Sequence, residues 1–170
     1  GLTGERMYSF CEGKNGELWF GTWRGLFKWK PTMNNNEQKG AWTHWTTNDG
    51  LLHNRIFTLA SGYDGIIWFG NGQANDVGLG SIDSNERIRY YTTSDGLVNN
   101  NVWDLAVDSS AKVWVTTIGG LNCLSDGVWF SFTERSGLLL DKLWPILPLR
   151  DKVYIGTQGR GVAILNPDET

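Results

Sequence analysis

A short apolar stretch built around an aromatic residue, and closing on Gly-Thr or a near variant, returns four times along this chain. It reads Leu18-Trp19-Phe20-Gly21-Thr22, Ile67-Trp68-Phe69-Gly70-Asn71, Val113-Trp114-Val115-Thr116-Thr117 and Val153-Tyr154-Ile155-Gly156-Thr157. The aromatic residues stand 49, 46 and 40 residues apart. A second mark, Gly1-Leu2, Gly50-Leu51, Gly96-Leu97 and Gly137-Leu138, steps by 49, 46 and 41 residues. Two marks that drift together indicate one duplicated unit. A repeat of this length cannot bury both of its faces alone and must stack on its neighbours, as in a propeller or a solenoid.

Within each repeat the apolar runs are short and separated by turn residues. A first strand, A, is expected at Met7-Tyr8-Ser9-Phe10, Ile56-Phe57-Thr58-Leu59, Val102-Trp103-Asp104-Leu105 and Leu143-Trp144-Pro145-Ile146. Asn15-Gly16 and Asp64-Gly65 then predict tight hairpin turns with both central residues at positive φ. Strand B carries the recurrent aromatic residue, which is expected to be buried between repeats. Gly25, Gly78, Gly120 and Gly161 should close the B–C turn at positive φ. Strand C follows at residues 26–29, 79–82, 121–124 and 162–165, and strand D at 42–46, 88–92 and 128–132. Four short antiparallel strands per repeat make the blade of a β-propeller. The expected fold is thus all-β, with one propeller segment over 1–170 and repeats at 1–49, 50–95, 96–136 and 137–170. Repeat four stops after strand C, which predicts an unpaired edge. Either a longer propeller or a second copy of the chain would cover it. The opening Gly-Leu-Thr, with neither an initiator Met nor an apolar leader, suggests a mature or excised chain.

Composition narrows the function classes. With 15 Lys and Arg against 18 Asp and Glu, the formal charge is −3 and no basic cluster stands out. That disfavours nucleic acid, whose binding rests on many cationic contacts to phosphate. No apolar run approaches the roughly 20 residues of a membrane span. Cys11 and Cys123 lie two repeats apart, too far for a disulfide, and read as small buried residues. His44 falls on outer strand D. No metal-ligand or nucleophile motif is present, so neither cofactor nor catalysis is expected.

The motif Thr46-Thr47-Asn48-Asp49-Gly50-Leu51, repeated as Thr92-Thr93-Ser94-Asp95-Gly96-Leu97, resembles the two-component regulator propeller repeat. So do Asp64-Gly65-Ile66-Ile67-Trp68-Phe69-Gly70 and Asn15-Gly16-Glu17-Leu18-Trp19-Phe20-Gly21-Thr22 with Gly25-Leu26 after it. Repeat four is the most divergent, with Tyr154 for Trp and Ser136-Gly137-Leu138 for Asp-Gly-Leu. The resemblance implies a non-catalytic sensory segment, periplasmic or extracellular, that recognises carbohydrate breakdown products or relays their binding. In such proteins a β-sandwich, a membrane span and a histidine kinase follow. A propeller enzyme of the streptogramin-lyase kind is the first alternative, and a protein-interaction scaffold that pairs through its open blade edge is the second.

In a propeller the D–A and B–C loops share one face, and polar residues gather there. The candidate ligand-binding residues are Trp23, Arg24, His53, Arg55, Asn75, Asp76, Asn101, Lys142 and Arg160. Amide and guanidinium groups suit sugar hydroxyls, and an indole suits a sugar ring. The partners expected are a small carbohydrate and neighbouring blades or a second copy. Asp49 and Asp95 recur with the repeat and read as turn residues. Asp104 does not recur: its counterparts are Ser9, Thr58 and Pro145, which marks it as an outlier facing the channel.

Overall fold

The structure is a computed structural model and describes residues 2–34, 37–72, 77–138 and 142–166. Four antiparallel sheets follow one another along the chain. Blade one holds β1 (Met7–Glu12), β2 (Leu18–Thr22), β3 (Gly25–Asn34) and β4 (Glu37–Trp45). Blade two holds β5 (Thr58–Ser61), β6 (Ile67–Gly70), β7 (Leu79–Ile82) and β8 (Ile88–Tyr91). Blade three holds β9 (Val102–Val107), β10 (Val113–Thr117), β11 (Gly120–Ser125) and β12 (Val128–Phe132). Blade four holds β13 (Leu143–Leu149), β14 (Lys152–Thr157) and β15 (Gly161–Leu165), so β15 is an edge among the described residues. Strands pair in chain order within each blade, and the innermost strands β1, β5, β9 and β13 lie side by side in sequence.

Apolar side chains form three buried clusters, one at each junction of successive blades. Trp19, Trp68 and Trp114 are buried, each projecting from strand B toward the next blade. Such rings bury on the order of 150–250 Å² apiece and are major contributors to the cohesion between blades. Each meets a fixed set from the following blade: Ile56, Leu59, Ile67 and Phe69, then Val102, Leu105, Val113 and Val115, then Leu143, Ile146, Val153 and Ile155. Trp19 stacks on Trp45 at 5.3 Å, and the Lys28 ammonium lies over both rings.

The A–B turns differ from the tight hairpins expected. Gly16 and Gly65 have positive φ, 76° and 89°, whereas Asn15 and Asp64 do not. The bonds Gly13 N to Glu17 O and Gly16 N to Gly13 O define a longer loop, a type I turn followed by one left-handed residue. The loops at 62–66 and 108–112 repeat this pattern, with Ala111 at φ 63°. The β3–β4 hairpin is also longer than expected, pairing out to Asn34 and Glu37. Pro31 is tolerated there because β2 pairs with β3 only as far as Trp29, so the missing N–H faces no strand.

The recurrent Thr-Thr-x-Asp-Gly-Leu segment is the D–A connection. Thr46 N–H and hydroxyl both donate to Asp49 Oδ2, and Leu51 N–H donates to Thr46 O. Thr92, Asp95 and Leu97 repeat the arrangement. These hydrogen bonds hold the Asp49 carboxyl below its usual value. Both aspartates are therefore turn residues. The only helical turns among the described residues are single 3₁₀ turns at Thr47–Asp49 and Glu134–Ser136, and no helix is long and apolar enough to cross a membrane.

Candidate functional site

Strand A does more than line the inner edge of each sheet. In blade one Met7 pairs with Thr22 and Ser9 with Gly21, which leaves Tyr8 out of the ladder. In blade three Val102 pairs with Thr117 and Asp104 with Thr116, which leaves out Trp103. In blade four the register slips between Leu143 and Ile146, around Trp144. A β-bulge of this kind bends a strand and re-aims the extra side chain. The re-aimed residues, with Phe57 at the matching place in blade two, are all aromatic and meet one another. Ring centroids lie 5.4 Å apart for Tyr8 and Phe57, 6.3 Å for Phe57 and Trp103, 6.5 Å for Phe57 and Trp144, and 4.3 Å for Trp103 and Trp144. One aromatic group from each blade thus converges on the common axis.

Beneath them runs a belt of hydrogen bonds from the next position of strand A. Ser9 Oγ accepts Leu59 N–H of the following blade at 3.1 Å, and Asp104 Oδ2 accepts Ile146 N–H at 3.1 Å. Asp104 Oδ1 also accepts the Thr58 hydroxyl at 2.8 Å and Leu105 N–H at 2.9 Å. One carboxylate therefore ties blades two, three and four together. Burial pushes its carboxyl above the ordinary value, and these hydrogen bonds oppose the rise. Thr116, which replaces the glycine of the other repeats, belongs to the same belt. Its hydroxyl donates to Trp144 O at 2.7 Å and accepts Asp104 N–H. At Gly21 a Cβ would fall 2.8 Å from Ile56 O, so blade one has no room for that hydroxyl.

Above the belt opens a cavity of about 610 Å³, lined by Arg55, Phe57, Trp103, Ile118, Lys142, Leu143, Trp144 and Gln158. Trp144 is 49% exposed and presents a ring face to it. Arg55 enters from the D–A connection of blade two, with its guanidinium carbon 5.4 Å from the Tyr8 ring and 5.6 Å from the Phe57 ring. Its Nε is buried with no hydrogen-bond partner. The B–C turn reaches the same face: Gln158 N–H donates to Lys142 O, and Gly72 N–H to Val102 O.

Of the residues expected from sequence, Arg55 and Lys142 therefore share one cavity. Trp23 is exposed, and Arg24 pairs with Glu5 at 3.2 Å. His53 Nδ1 accepts Arg55 N–H, and Asn101 donates through its backbone and amide nitrogens to Asn99 Oδ1. Arg160 is exposed in the last B–C turn. None of these five lines the cavity, and Asn75 and Asp76 lie outside the described residues. Sequence reasoning placed strand A but did not single out its aromatic residues. The available signal was an aromatic residue at the same place in all four repeats. His44 is exposed on β4, stacked on Phe27 at 3.8 Å with Nε2 2.9 Å from Arg24 O. Cys11 and Cys123 are free, and burial pushes both thiols up to about 12. No cluster suited to a metal occurs among the described residues.

A family model described as the two component regulator propeller matches residues 1–24. No curated protein sequence matches the chain. Among solved structures, one similar fold is the extracellular domain assigned to the hybrid two component system BT3049 from B. thetaiotaomicron. It is 22% identical with a TM-score of 0.81, over 98% of this chain and 22% of that one. A second extracellular domain, BT4673 of the same organism, is 18% identical with a TM-score of 0.75, over 99% and 25%. Virginiamycin B lyase from Staphylococcus aureus is 14% identical with a TM-score of 0.62, over 94% and 55%. The chain thus spans about a quarter or less of the two extracellular domains. It resembles the two component regulator propellers, with their repeat matched in its first blade and their propeller fold shared through all four.

Proposed function

We propose that this chain is a sensory segment of a two component regulator propeller, lying in the periplasm or outside the cell, and that its axial cavity takes a small carbohydrate without chemical conversion. The observation that carries this reading is the aromatic quartet. Three bulges each lift a ring out of its sheet toward one place, where Phe57 of blade two meets them. Flat rings beside a guanidinium, an ammonium and a primary amide make a surface suited to a sugar, whose ring faces are apolar and whose edges are hydroxylated. Extracellular domains of two component systems share the fold. Lyases share it too, but the described lining of this cavity holds no His, Asp, Glu, Cys or Ser to act as acid, base or nucleophile. Asp104 below it is committed to three donors. Calorimetric titration with neutral and acidic disaccharides tests the reading. Binding should occur, and Trp144→Ala should weaken it at least about tenfold, as loss of a stacking platform does. Equal binding by the variant would place the ligand elsewhere.

A second reading, a scaffold that joins other blades or another copy, draws on the uncovered end faces. In blades two to four the entry-face set is buried, but in blade one its counterparts Met7 and Phe10 are exposed, Phe10 by 70%. At the other end Val162 is 62% exposed, and a groove of about 240 Å³ runs beside β15 between Phe132, Leu138 and Ile164.

A further inference from the structure

The charge within the cavity narrows the ligand beyond what the rings suggest. Arg55 brings a guanidinium whose Nε is buried and unpartnered, and Lys142 brings an ammonium from the D–A connection of blade four. No carboxylate lines the cavity among the described residues, and the nearby Asp104 faces its own donors below. A buried donor left unsatisfied is costly, and a cation without a counter-charge more so. The cation–π contacts to Tyr8 and Phe57 hold the guanidinium in place without satisfying that donor. Arg55 also lines the cavity, where an oxyanion can pair with its guanidinium. A guanidinium suits an oxyanion with paired acceptor oxygens, and a second cation lining the same cavity raises the preference for negative charge. Trp103 and Trp144, 4.3 Å apart and tilted by 42°, line the same cavity as these cations. Gln158 adds a donor and an acceptor for hydroxyls. At about 610 Å³ the space falls in the range that holds a ligand of disaccharide size.

We infer that the cavity selects an anionic saccharide, a sugar ring stacked on Trp144 that carries a carboxylate or a sulfate held between Arg55 and Lys142. The inference rests on the sensory reading above and specifies its ligand class. The two sources of the charge, an oxidised sugar and a sulfated one, present the same chemistry to the guanidinium.

A matched set separates them. Cellobiose, cellobiouronic acid and cellobiose 6-sulfate differ only at one exocyclic carbon, and each is titrated into the 170-residue chain at low and at moderate salt. At least one of the two anions should bind about tenfold or more tightly than cellobiose, and the preferred one names the source. That preference should shrink as salt rises. Arg55→Gln and Lys142→Gln should each lower affinity for the anion about tenfold more than they lower affinity for cellobiose. Lys142 is exposed, so its variant remains informative even if Arg55→Gln perturbs folding. Equal affinity for all three sugars would overturn the anionic selection and leave carbohydrate sensing standing. No binding of any sugar would overturn both. Inorganic sulfate competing as strongly as cellobiose 6-sulfate would show a bare anion site and remove the sugar from the inference.

Discussion

The Asp104 carboxylate of blade three accepts the backbone N–H of Ile146 in blade four at 3.1 Å, across the junction that also holds the third hydrophobic cluster. The same side chain accepts the Thr58 hydroxyl of blade two. Asp104→Ala would strand a hydroxyl and two backbone donors at the inner edge of three blades. Urea denaturation should report a loss of about 1–3 kcal/mol, with Asp104→Asn costing less because an amide oxygen still accepts one of them. A variant as stable as the native chain would show that the belt is not cohesive.

Two of the aspartates singled out from the sequence should respond to acid in opposite senses. Asp104 has a raised carboxyl pKa, so the folded state binds its proton more tightly than the unfolded chain does. Its contribution to stability is full below the unfolded value near 3.8 and is lost as pH rises through the folded value. Relative to Asp104→Asn, the native chain should gain stability as pH falls toward that value. Asp49 has a lowered pKa, so its contribution is present above the unfolded value and lost as pH falls through the folded one. Relative to Asp49→Asn, the native chain should therefore lose stability on acidification. Melting curves of the three proteins at a series of pH values check both signs.

Gly120 and Gly161 hold the same place in the B–C turn but differ in surroundings. A Cβ on Gly120 would sit 2.5 Å from Phe132 O of β12, at φ 139°. On Gly161, at φ 78°, it would meet nothing within 4 Å, because no described strand lies outside β15. Gly161→Ala should cost about 1–2 kcal/mol, the ordinary penalty of a left-handed residue. Gly120→Ala should cost clearly more, since a backbone carbonyl cannot step aside. Similar losses in denaturant midpoint would contradict this account.

The uncovered end faces should associate. Burial of apolar surface contributes on the order of 25 cal/mol per Å², and the exit face of blade four offers Val162 and Ile164 where an entry face like that of Met7 and Phe10 fits. The 170-residue chain should sediment above its monomer mass at tens of micromolar, roughly the range where such patches meet. Phe10→Asp or Val162→Asp should return it to monomer. A native chain that stays monomeric at that concentration would argue against the scaffold reading.

Blade order, strand identity, the buried tryptophans and the left-handed glycines were legible because each follows from local chemistry that recurs with the repeat. The turn role of Asp49 and Asp95 was legible for the same reason. The A–B turns were misjudged because Asn-Gly and Asp-Gly fit both a two-residue hairpin and a longer loop, and only pairing decides between them. The aromatic quartet was hidden for a related reason. A bulge is a property of two strands together, so Trp103 and Trp144 look like core residues until the ladder is seen to skip them. Asp104 stood out as an exception, but its three-blade reach depends on Thr58 and Ile146, 46 and 42 residues away. The unpartnered Nε of Arg55 has no sequence signature at all.

The central claim is that the axial cavity, rather than any other surface, takes the ligand. The indole N–H resonances of ¹⁵N-labelled protein test it most directly, because the tryptophans are spread over the whole molecule. Adding a binding disaccharide should shift the Trp103 and Trp144 signals, assigned through Phe substitutions, and leave buried Trp19 and Trp114 unmoved. Shifts confined to Trp23 or to the outer-strand residues Trp42 and Trp129, with Trp103 and Trp144 silent, would contradict it.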